Sequence, residues 1–352
     1  MKSQFISALA DGQIVTSLFL VREKEIRTSP RTGKSWLELS LADRTGTIPA
    51  KMWDNFAALA PTFERDDVIQ IRGRVKLYNG QKELTLEQII PAAERDYDLG
   101  DFLPHTKYDV EKLYSDLHAA ISGMKNPWLK QLLSSVVDDP AIAPRLKRAP
   151  AAMTMHHAYL GGLLEHVVSL IGLAAAVSAH YPELDADLLL SGVVLHDVGK
   201  IDELRYARGI DYSDAGRLLG HITIGAGIVR DKCRAIADFP APLAVLVEHL
   251  ILSHHGSYEF GSPSLPQIPE AVALNFIDDI DSKMAGMRAT LESGSGATAS
   301  LWTDRNPSLR RALLRTDKYL AGEGSANGAS AQERGAAQAA SAPAAKDAAR
   351  KG

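Results

Sequence analysis

Histidine is concentrated in one part of this chain. Nine of its 11 histidines lie between residues 156 and 255, which is less than a third of the 352 residues. Neutral imidazole, together with carboxylate, is a ligand that divalent transition metals take. Core packing does not concentrate histidines in this way, so the distribution indicates a metal site or a proton-transfer site.

The central candidate is the stretch LLLSGVVLHDVGK at residues 188–200. It is an apolar run, too short to span a bilayer, that ends at the adjacent pair His196 and Asp197, and it predicts a buried helix. An isolated pair of this kind has two interpretations. It can be a hydrogen-bonded core histidine at the end of a helix, or it can be part of a metal site.

Other candidate ligands follow a defined order on or at the ends of predicted helices. They are His166 in GGLLEHVV, His221 in LLGHITIG, His254 and His255 in LSHHGS, and Asp278 in ALNFIDDIDSKM. A helix presents only one or two residues per turn to a given point, so several helices must converge to build one site. Asp279 and Asp281 compete with Asp278 for the last position, and we favour Asp278 because it follows the most apolar run.

The number of ligands predicts two metal ions. His166, His196, Asp197 and Asp278 would complete one site, and Asp197 could bridge to a second site built by His221, His254 and His255. Two metals about 3.5–4 Å apart stabilise the attacking and leaving oxygens of phosphoester hydrolysis and supply hydroxide near neutral pH. Lys200 would neutralise a phosphate oxygen. His157 is either part of a helix start or a substrate contact.

Residues 12 to about 92 predict a small β domain. Five segments, 14–21, 35–41, 47–53, 68–75 and 83–89, show β-branched content or period-two alternation. Turn signals separate them, among them the Asn79-Gly80 hairpin signal. With a helix-like segment at 56–59, this is the strand count of an OB-fold barrel.

OB-folds bind single-stranded nucleic acid by stacking bases on aromatic side chains over a positive groove. The candidate stacking residues are Trp36, Trp53 and Tyr78, and the candidate phosphate contacts include Lys51, Arg72 and Arg74. Alternatively, both tryptophans belong to the barrel core and the charges form a solvated face. Acidic residues nearly offset the basic ones, so we expect modest affinity.

The domain organisation follows from these patterns. We predict an OB-fold domain over 1–95, a linker over 96–110 and an all-α domain over 111–320. Helices are expected at 110–125, at 128–137 and from about 158 to 315, with no recurring strand pattern. The Ala-, Gly- and Ser-rich tail, 321–352, is predicted to be disordered.

Composition excludes several classes of protein. The chain is 45% hydrophobic and 23% charged, which is ordinary globular composition, and its net charge of −4 confines any nucleic-acid contact to a local basic face. Cys233 is the single cysteine, which excludes a disulfide framework or thiolate cluster. We find neither a signal peptide nor an apolar run long enough to cross a membrane, so we expect a cytoplasmic protein without membrane contact.

The ordered pattern H…HD…H…HH…D resembles the HD superfamily of metal-dependent phosphohydrolases, in the branch with several histidines and two metals. Further stretches narrow the resemblance: LADRTGTIPAKMWD, DFLP, APAAMTMHHAYLGGLLEHV, HDVGK, GRLLGHITIG and LSHHG. From about residue 11 to 320 the chain is similar to the YhaM-type 3′-5′ exoribonucleases. His166, His196, Asp197 and Asp278 match that family's core ligands, and His221, His254 and His255 match its additional ones.

The resemblance implies metal-dependent 3′-5′ degradation of single-stranded RNA by a homo-oligomer, with single-stranded DNA as an open alternative. It favours Mn²⁺ or Co²⁺, although iron and zinc suit the same ligands. In the mechanism that we predict, the barrel feeds the RNA 3′ end to the metals, Asp197, Lys200 and His157 are catalytic, and a nucleoside 5′-monophosphate leaves.

Two other functions remain open at this point. An HD phosphodiesterase or nucleotidase acting on cyclic dinucleotides or free nucleotides would not need a stacking groove. A non-catalytic, metal-stabilised protein that binds single-stranded nucleic acid would bind RNA without forming product.

Overall fold

The structure is a computed structural model that describes residues 2, 4–78, 80–153, 159–206, 209–292, 300–306 and 309–322. The chain divides into two units, Met1–Asp281 and Ser282–Gly352. The predicted tail lies outside the described residues except for Ala321 and Gly322, which form a turn. The predicted domain limits stay predictions.

The N-terminal part is a closed five-stranded barrel, which confirms the predicted OB-fold. Its strands are β1 (Ile14–Thr28), β2 (Ser35–Asp43), β3 (Gly46–Met52), β4 (Val68–Tyr78) and β5 (Gln81–Pro91), in the order β1-β2-β3-β5-β4. The short helix α1 (Phe56–Leu59) lies between β3 and β4. β3 and β5 pair in parallel, whereas the other neighbouring strands are antiparallel.

Period-two alternation decides which side chains fill the barrel. In β2, Leu37, Leu39 and Leu41 are buried, and in β3 the same holds for Ile48 and Ala50. Successive side chains of a strand point to opposite faces, so the residues between these positions lie on the outer surface of the barrel.

The segment predicted as a linker lacks long elements but is packed rather than loose. It contains the 3-10 turn Leu99–Asp101, and Phe102 and Leu103 that follow this turn are fully buried. These two side chains form a small apolar cluster with Leu20 and Val68 of the barrel and with Leu160 of the helical part. The segment therefore joins barrel and helices through a shared core.

The remainder of the chain is mainly helical, as predicted. Its helices are α2 (Val110–Ser122), α3 (Pro127–Val137), α4 (Ala143–Leu146), α5 (Gly162–His180), α6 (Ala186–Leu195), α7 (Lys200–Glu203), α8 (Asp214–Ala235), α9 (Ala241–Ser253), α10 (Pro269–Glu292) and α11 (Thr316–Leu320). Side-chain caps at Asp109, Asn126, Asp185 and Ser213 satisfy backbone N–H groups and fix where four of them begin.

The prediction that this part contains no strands was wrong in detail. Two short hairpins interrupt the helices: β6 (Leu204–Arg205) with β7 (Asp211–Tyr212), and β8 (Trp302–Asn306) with β9 (Arg311–Leu314). Strands of two to five residues are too short to produce a period-two signal that can be recognised in a sequence.

The expectation that no apolar run reaches membrane-spanning length was also wrong. α5 has 19 residues and is long and apolar enough to cross a membrane by length and composition alone. In the structure it packs against α2 and α6, and it buries Leu163, Leu164 and Val167 in the helical core together with His166. These contacts are those of a core helix.

Candidate metal centre

Close helix packing brings the candidate ligands together. α6 is buried along most of its length and ends at Leu195, and His196 and Asp197 follow directly, with His196 as the C-cap. A Cβ atom added at Gly199 would lie 2.0 Å from the carbonyl oxygen of His221 in α8. Only glycine allows the chain after Asp197 to approach α8 this closely, and the approach places His221 beside Asp197.

Asp197 lies between two groups of histidines. Its Oδ2 atom is 3.4 Å from Nε2 of His196 and 4.0 Å from Nε2 of His166. Its Oδ1 atom is 3.4 Å from Nε2 of His221 and 3.8 Å from Nε2 of His254. Each carboxylate oxygen therefore faces a different group, which is the arrangement a bridging ligand needs.

The other predicted ligands complete the two groups. The ligand atoms of His166, His196 and Asp197 lie within 4.8 Å of one another, and so do those of His221, His254 and His255. Asp278 joins the first group, since its Oδ1 atom is 3.2 Å from Nε2 of His166 and 3.9 Å from Nε2 of His196. Its neighbour Asp279 is exposed.

In each of the five candidate histidine ligands, Nδ1 is hydrogen-bonded to an oxygen atom that can only accept hydrogen bonds. The partners are the Val193 carbonyl for His196 (2.9 Å), the Ile251 carbonyl for His254 (2.8 Å), the Phe260 carbonyl for His255 (2.7 Å), Glu203 for His221 (3.0 Å) and Asp281 for His166 (2.8 Å). Nδ1 must then carry the hydrogen, and in a neutral imidazole Nε2 keeps its lone pair. The five Nε2 atoms can therefore act as ligands.

Several of these inward atoms have no hydrogen-bond partner among the described residues. They are Nε2 of His196, His221 and His254, and Oδ1 of Asp197, all of them buried. Buried acceptors without a partner are rare because they lose their hydration without compensation. Divalent cations would satisfy all four, so the donor set fits metal binding.

The electrostatics favour the protonation states that ligands need. Burial alone would raise the pKa of Asp197, but Lys200, whose Nζ lies 2.6 Å from Oδ2, and the neighbouring histidines hold it well below its usual range. Burial and the charge of His196 lower the pKa of His254, which keeps this imidazole neutral. Metal ligands must be deprotonated in this way.

The opposite shift occurs at His166. Burial alone would lower its pKa, but hydrogen bonds to Asp278 and Asp281 outweigh burial and raise it to about 9. The same contact with His166 overcomes the effect of burial on Asp278, whose pKa lies below its usual range. Asp278 and Asp281 therefore stabilise a proton on His166, which a cation bound at Nε2 of His166 would have to displace.

Two supporting carboxylates were not assigned from the sequence. Oε1 of Glu203 accepts hydrogen bonds from the backbone N and from Nδ1 of His221, each at 3.0 Å. Asp281, which competed as a ligand, lies on the outer side of His166 and also accepts from Ser169 (2.5 Å). The helical spacing of Asp278 and Asp281 could have revealed the latter, whereas nothing in the sequence singles out Glu203.

Of the two remaining residues that were predicted to be catalytic, the structure describes only Lys200. Lys200 begins α7 and forms its ion pair with Asp197 at the edge of the site. His157 lies outside the described residues, so its predicted contact with substrate stays a prediction.

Four of the six predicted nucleic-acid contacts lie together on the outer surface of the barrel. The rings of Trp36 and Trp53 have centroids 5.2 Å apart, and Trp53 is 47% exposed, so the alternative that both are barrel core is wrong. Nζ of Lys51 lies 5.7 Å from the ring centroid of the exposed Tyr78. Nζ of Lys51 also forms an ion pair of 2.6 Å with Glu83.

The two predicted arginines lie on the outer side of β4. Arg72 pairs with Glu87 at 3.5 Å, and Arg74 donates to the Gly12 carbonyl at 3.1 Å. Arg74 and Lys51 stand opposite the same residue of β5, Thr85, from its two sides. The barrel therefore offers an aromatic platform with a basic flank whose charges are partly neutralised.

Comparison with known families matches both parts of the chain. The model of an OB-fold nucleic acid binding domain matches residues 20–92, and that of an HD domain matches residues 163–283.

Curated relatives match the two parts together. The 3′-5′ exoribonuclease YhaM of Bacillus velezensis is 36% identical over 284 residues, which cover 80% of this chain and 88% of the relative. The proteins of the same name from Bacillus subtilis and Halalkalibacterium halodurans are 35% and 33% identical, over 78% and 80% of this chain and 87% of each relative.

Proposed function

We infer, because this chain belongs to the YhaM family of 3′-5′ exoribonucleases, that its metal centre hydrolyses single-stranded RNA from the 3′ end. The observation that carries this conclusion is the position of Asp197, whose two carboxylate oxygens face two different groups of imidazole Nε2 atoms. Such an arrangement serves phosphodiester hydrolysis, in which an attacking and a leaving oxygen must both be stabilised.

The residues divide into two ligand sets that share Asp197. His166, His196 and Asp278 would hold one divalent cation, and His221, His254 and His255 would hold the other. When bound, such cations lower the pKa of water and stabilise charge on phosphoryl oxygens. We favour Mn²⁺ or Co²⁺, while iron and zinc accept the same donors.

The chain's own groups have three tasks around these cations. Glu203 and Asp281 fix the orientation of His221 and His166 through their Nδ1 atoms. Lys200, held beside Asp197, neutralises a phosphate oxygen that enters the site. His157 would position the terminal nucleotide or protonate the leaving 3′-oxygen.

The barrel would hold the RNA upstream of its 3′ end. Trp36, Trp53 and Tyr78 provide surfaces on which bases stack, and Lys51, Arg72 and Arg74 contact phosphates. Stacking does not select for the 2′-hydroxyl, so single-stranded DNA can compete for this surface. We also propose a homo-oligomer in the cytoplasm.

The test compares hydrolysis with binding. A 5′-labelled single-stranded RNA incubated with wild-type protein and Mn²⁺ should shorten progressively from its 3′ end and release nucleoside 5′-monophosphates. Asp197→Asn should abolish this turnover and retain RNA binding. Full activity of Asp197→Asn would overturn the proposal.

A matched pair of variants tests the last ligand. Asp278→Asn should lose activity, whereas Asp279→Asn, which removes the same charge from the exposed neighbouring position, should retain it. Equal activity of the two variants would contradict the role given to Asp278.

A further inference from the structure

Basic residues are concentrated in the segment 300–322, which we call the C-terminal hairpin. It holds four arginines and one lysine against two aspartates, in a chain with a net charge of −4. The segment contains β8, β9 and α11 and belongs to the unit Ser282–Gly352. It lies outside the residues matched by the OB-fold and HD families.

Three of these arginines keep an unneutralised charge. Nε of Arg305 donates to the Arg310 carbonyl (3.0 Å), and Nε of Arg311 donates to the Leu309 carbonyl (3.1 Å). Arg305, Arg310 and Arg311 are all exposed, and none forms an ion pair with a carboxylate among the residues that the structure describes. Their terminal nitrogens are therefore available to an external anion.

Two of the three predicted phosphate contacts of the barrel differ in this respect. Lys51 is paired with Glu83 at 2.6 Å, and Arg72 is paired with Glu87 at 3.5 Å. A phosphate that binds at Lys51 or Arg72 must compete with a carboxylate, whereas a phosphate at Arg74 or at the hairpin arginines does not.

Exposed aromatic rings accompany these arginines. Trp302 at the start of β8 is 54% exposed, and Tyr319 in α11 is 60% exposed. A basic surface without aromatic rings would attract any polyanion. The combination with exposed rings favours single-stranded nucleic acid, whose unpaired bases stack on such rings.

The hairpin is held in place by buried polar contacts with the end of α10. Nδ2 of Asn306 donates to the Gly286 carbonyl (3.2 Å) and to Oγ1 of Thr290 (2.7 Å). Arg315, which is buried, donates to the carbonyls of Leu291 and Ser300. A surface fixed in this way loses little conformational freedom when it binds.

We propose that the C-terminal hairpin is a second binding surface for single-stranded RNA, in which Arg305, Arg310 and Arg311 contact phosphates and Trp302 stacks on a base. The assignment of RNA as the ligand rests on the proposed function, whereas the positive charge and the exposed aromatic rings are observed independently of that function. The surface strengthens the binding of long substrates and leaves the chemistry of short ones unchanged.

The test measures binding of a fluorescent single-stranded RNA of about 20 nucleotides, longer than one OB-fold occupies. All proteins are full-length and carry Asp197→Asn, so RNA is bound without turnover. The triple variant Arg305→Gln, Arg310→Gln, Arg311→Gln should bind more weakly. Each lost phosphate contact lowers the slope of log K against log salt by about 0.7, so the slope should fall by about 2.

The matched control is Arg65→Gln, Arg95→Gln, Arg234→Gln. It removes the same charge from exposed arginines that each pair with a nearby aspartate. It should leave the salt slope almost unchanged. Equal slopes for the hairpin triple, the control triple and their parent would overturn the proposal.

A second variant tests the proposal even if the triple variant does not fold. Trp302→Ala keeps every charge and should weaken binding at least about fivefold, and unchanged binding would refute the stacking role. With Asp197 intact, the triple variant should cleave an RNA of about three nucleotides at the wild-type rate, since so short a chain needs no second surface. Absence of cleavage by wild-type protein would refute the proposed function instead, so the two failures are distinguishable.

Discussion

Replacement of Glu203 by glutamine tests how the second ligand set is oriented. Glu203 is buried, and its Oε1 atom accepts hydrogen bonds from both the backbone N and Nδ1 of His221, each at 3.0 Å. Burial alone would raise the pKa of Glu203, but the contacts with His221 lower it, so the side chain is ionised. Glu203→Gln keeps the size of the side chain and removes the charge that makes Nε2 of His221 a stronger donor to a cation.

Two typical values give similar sizes for the expected loss of binding free energy. A hydrogen bond to a charged group contributes about 1.5–3 kcal/mol. Loss of an outer partner of a metal-binding histidine costs about 10- to 100-fold in metal affinity, which is about 1.4–2.8 kcal/mol. We therefore expect Glu203→Gln to raise the Mn²⁺ concentration for half-maximal activity by about 10- to 100-fold.

The assay is cleavage of a short labelled RNA over a Mn²⁺ titration, with thermal unfolding measured beside it. The control is Asp202→Asn, which removes a carboxylate from the adjacent residue, where it pairs with Arg145. Saturating Mn²⁺ should restore most of the Glu203→Gln rate. An unchanged Mn²⁺ dependence, or the same change in both variants, would refute the orienting role of Glu203.

Three further predictions concern packing, RNA binding and pH. Gly199→Ala places a Cβ atom 2.0 Å from the carbonyl oxygen of His221 and should destabilise the protein by about 1–3 kcal/mol or more in thermal unfolding. The control Gly172→Ala adds a Cβ atom where there is open space, so it should be neutral or stabilising. Trp53→Ala should weaken binding of single-stranded RNA by about 1–3 kcal/mol in an anisotropy titration and leave cleavage of short RNA intact. Burial lowers the pKa of Lys2 from 10.5 to about 8, although the neighbouring Asp43 acts in the opposite direction. Between pH 8 and 10.5 the unfolded chain therefore binds more protons at this lysine than the folded protein does. The free energy of unfolding should consequently rise with pH across this interval. Lys2→Met should lack this rise in urea unfolding.

Each of these three has a contradicting result. Equal unfolding temperatures for Gly199→Ala and Gly172→Ala would show that α7 and α8 do not approach as closely as the structure indicates. If Trp53→Ala binds RNA with wild-type affinity, the exposed Trp53 is not part of the RNA-binding surface. An identical pH dependence of stability with and without Lys2 would show that burial does not lower the pKa of this lysine.

Periodic patterns made much of this fold predictable. Alternation in β2 predicted the side of the strand on which Leu37, Leu39 and Leu41 lie, and these residues are buried. Every predicted strand is found, although β1 continues beyond its predicted end at residue 21 to Thr28. Strand ends depend on partner strands, which a single segment does not reveal. The ordered histidines were recognisable because imidazole has few structural reasons to recur at helix ends.

The sequence was less informative where contacts between distant segments decide the outcome. Phe102 and Leu103 appeared to belong to a linker because their burial depends on Leu20 and Leu160, far away in the chain. Glu203 had no distinguishing pattern because its role depends on how α7 meets α8. The preference for Asp278 over Asp279 could have been firmer, since helical spacing places Asp278 on the buried side.

Anomalous diffraction from crystals of the full chain grown with Mn²⁺ would show directly whether Asp197 lies between two metal ions. We expect two anomalous peaks on either side of Asp197, one contacting Nε2 of His166 and His196 and the other contacting Nε2 of His221 and His254. A protein that degrades RNA but shows no peak among these side chains, or a peak elsewhere, would contradict this expectation.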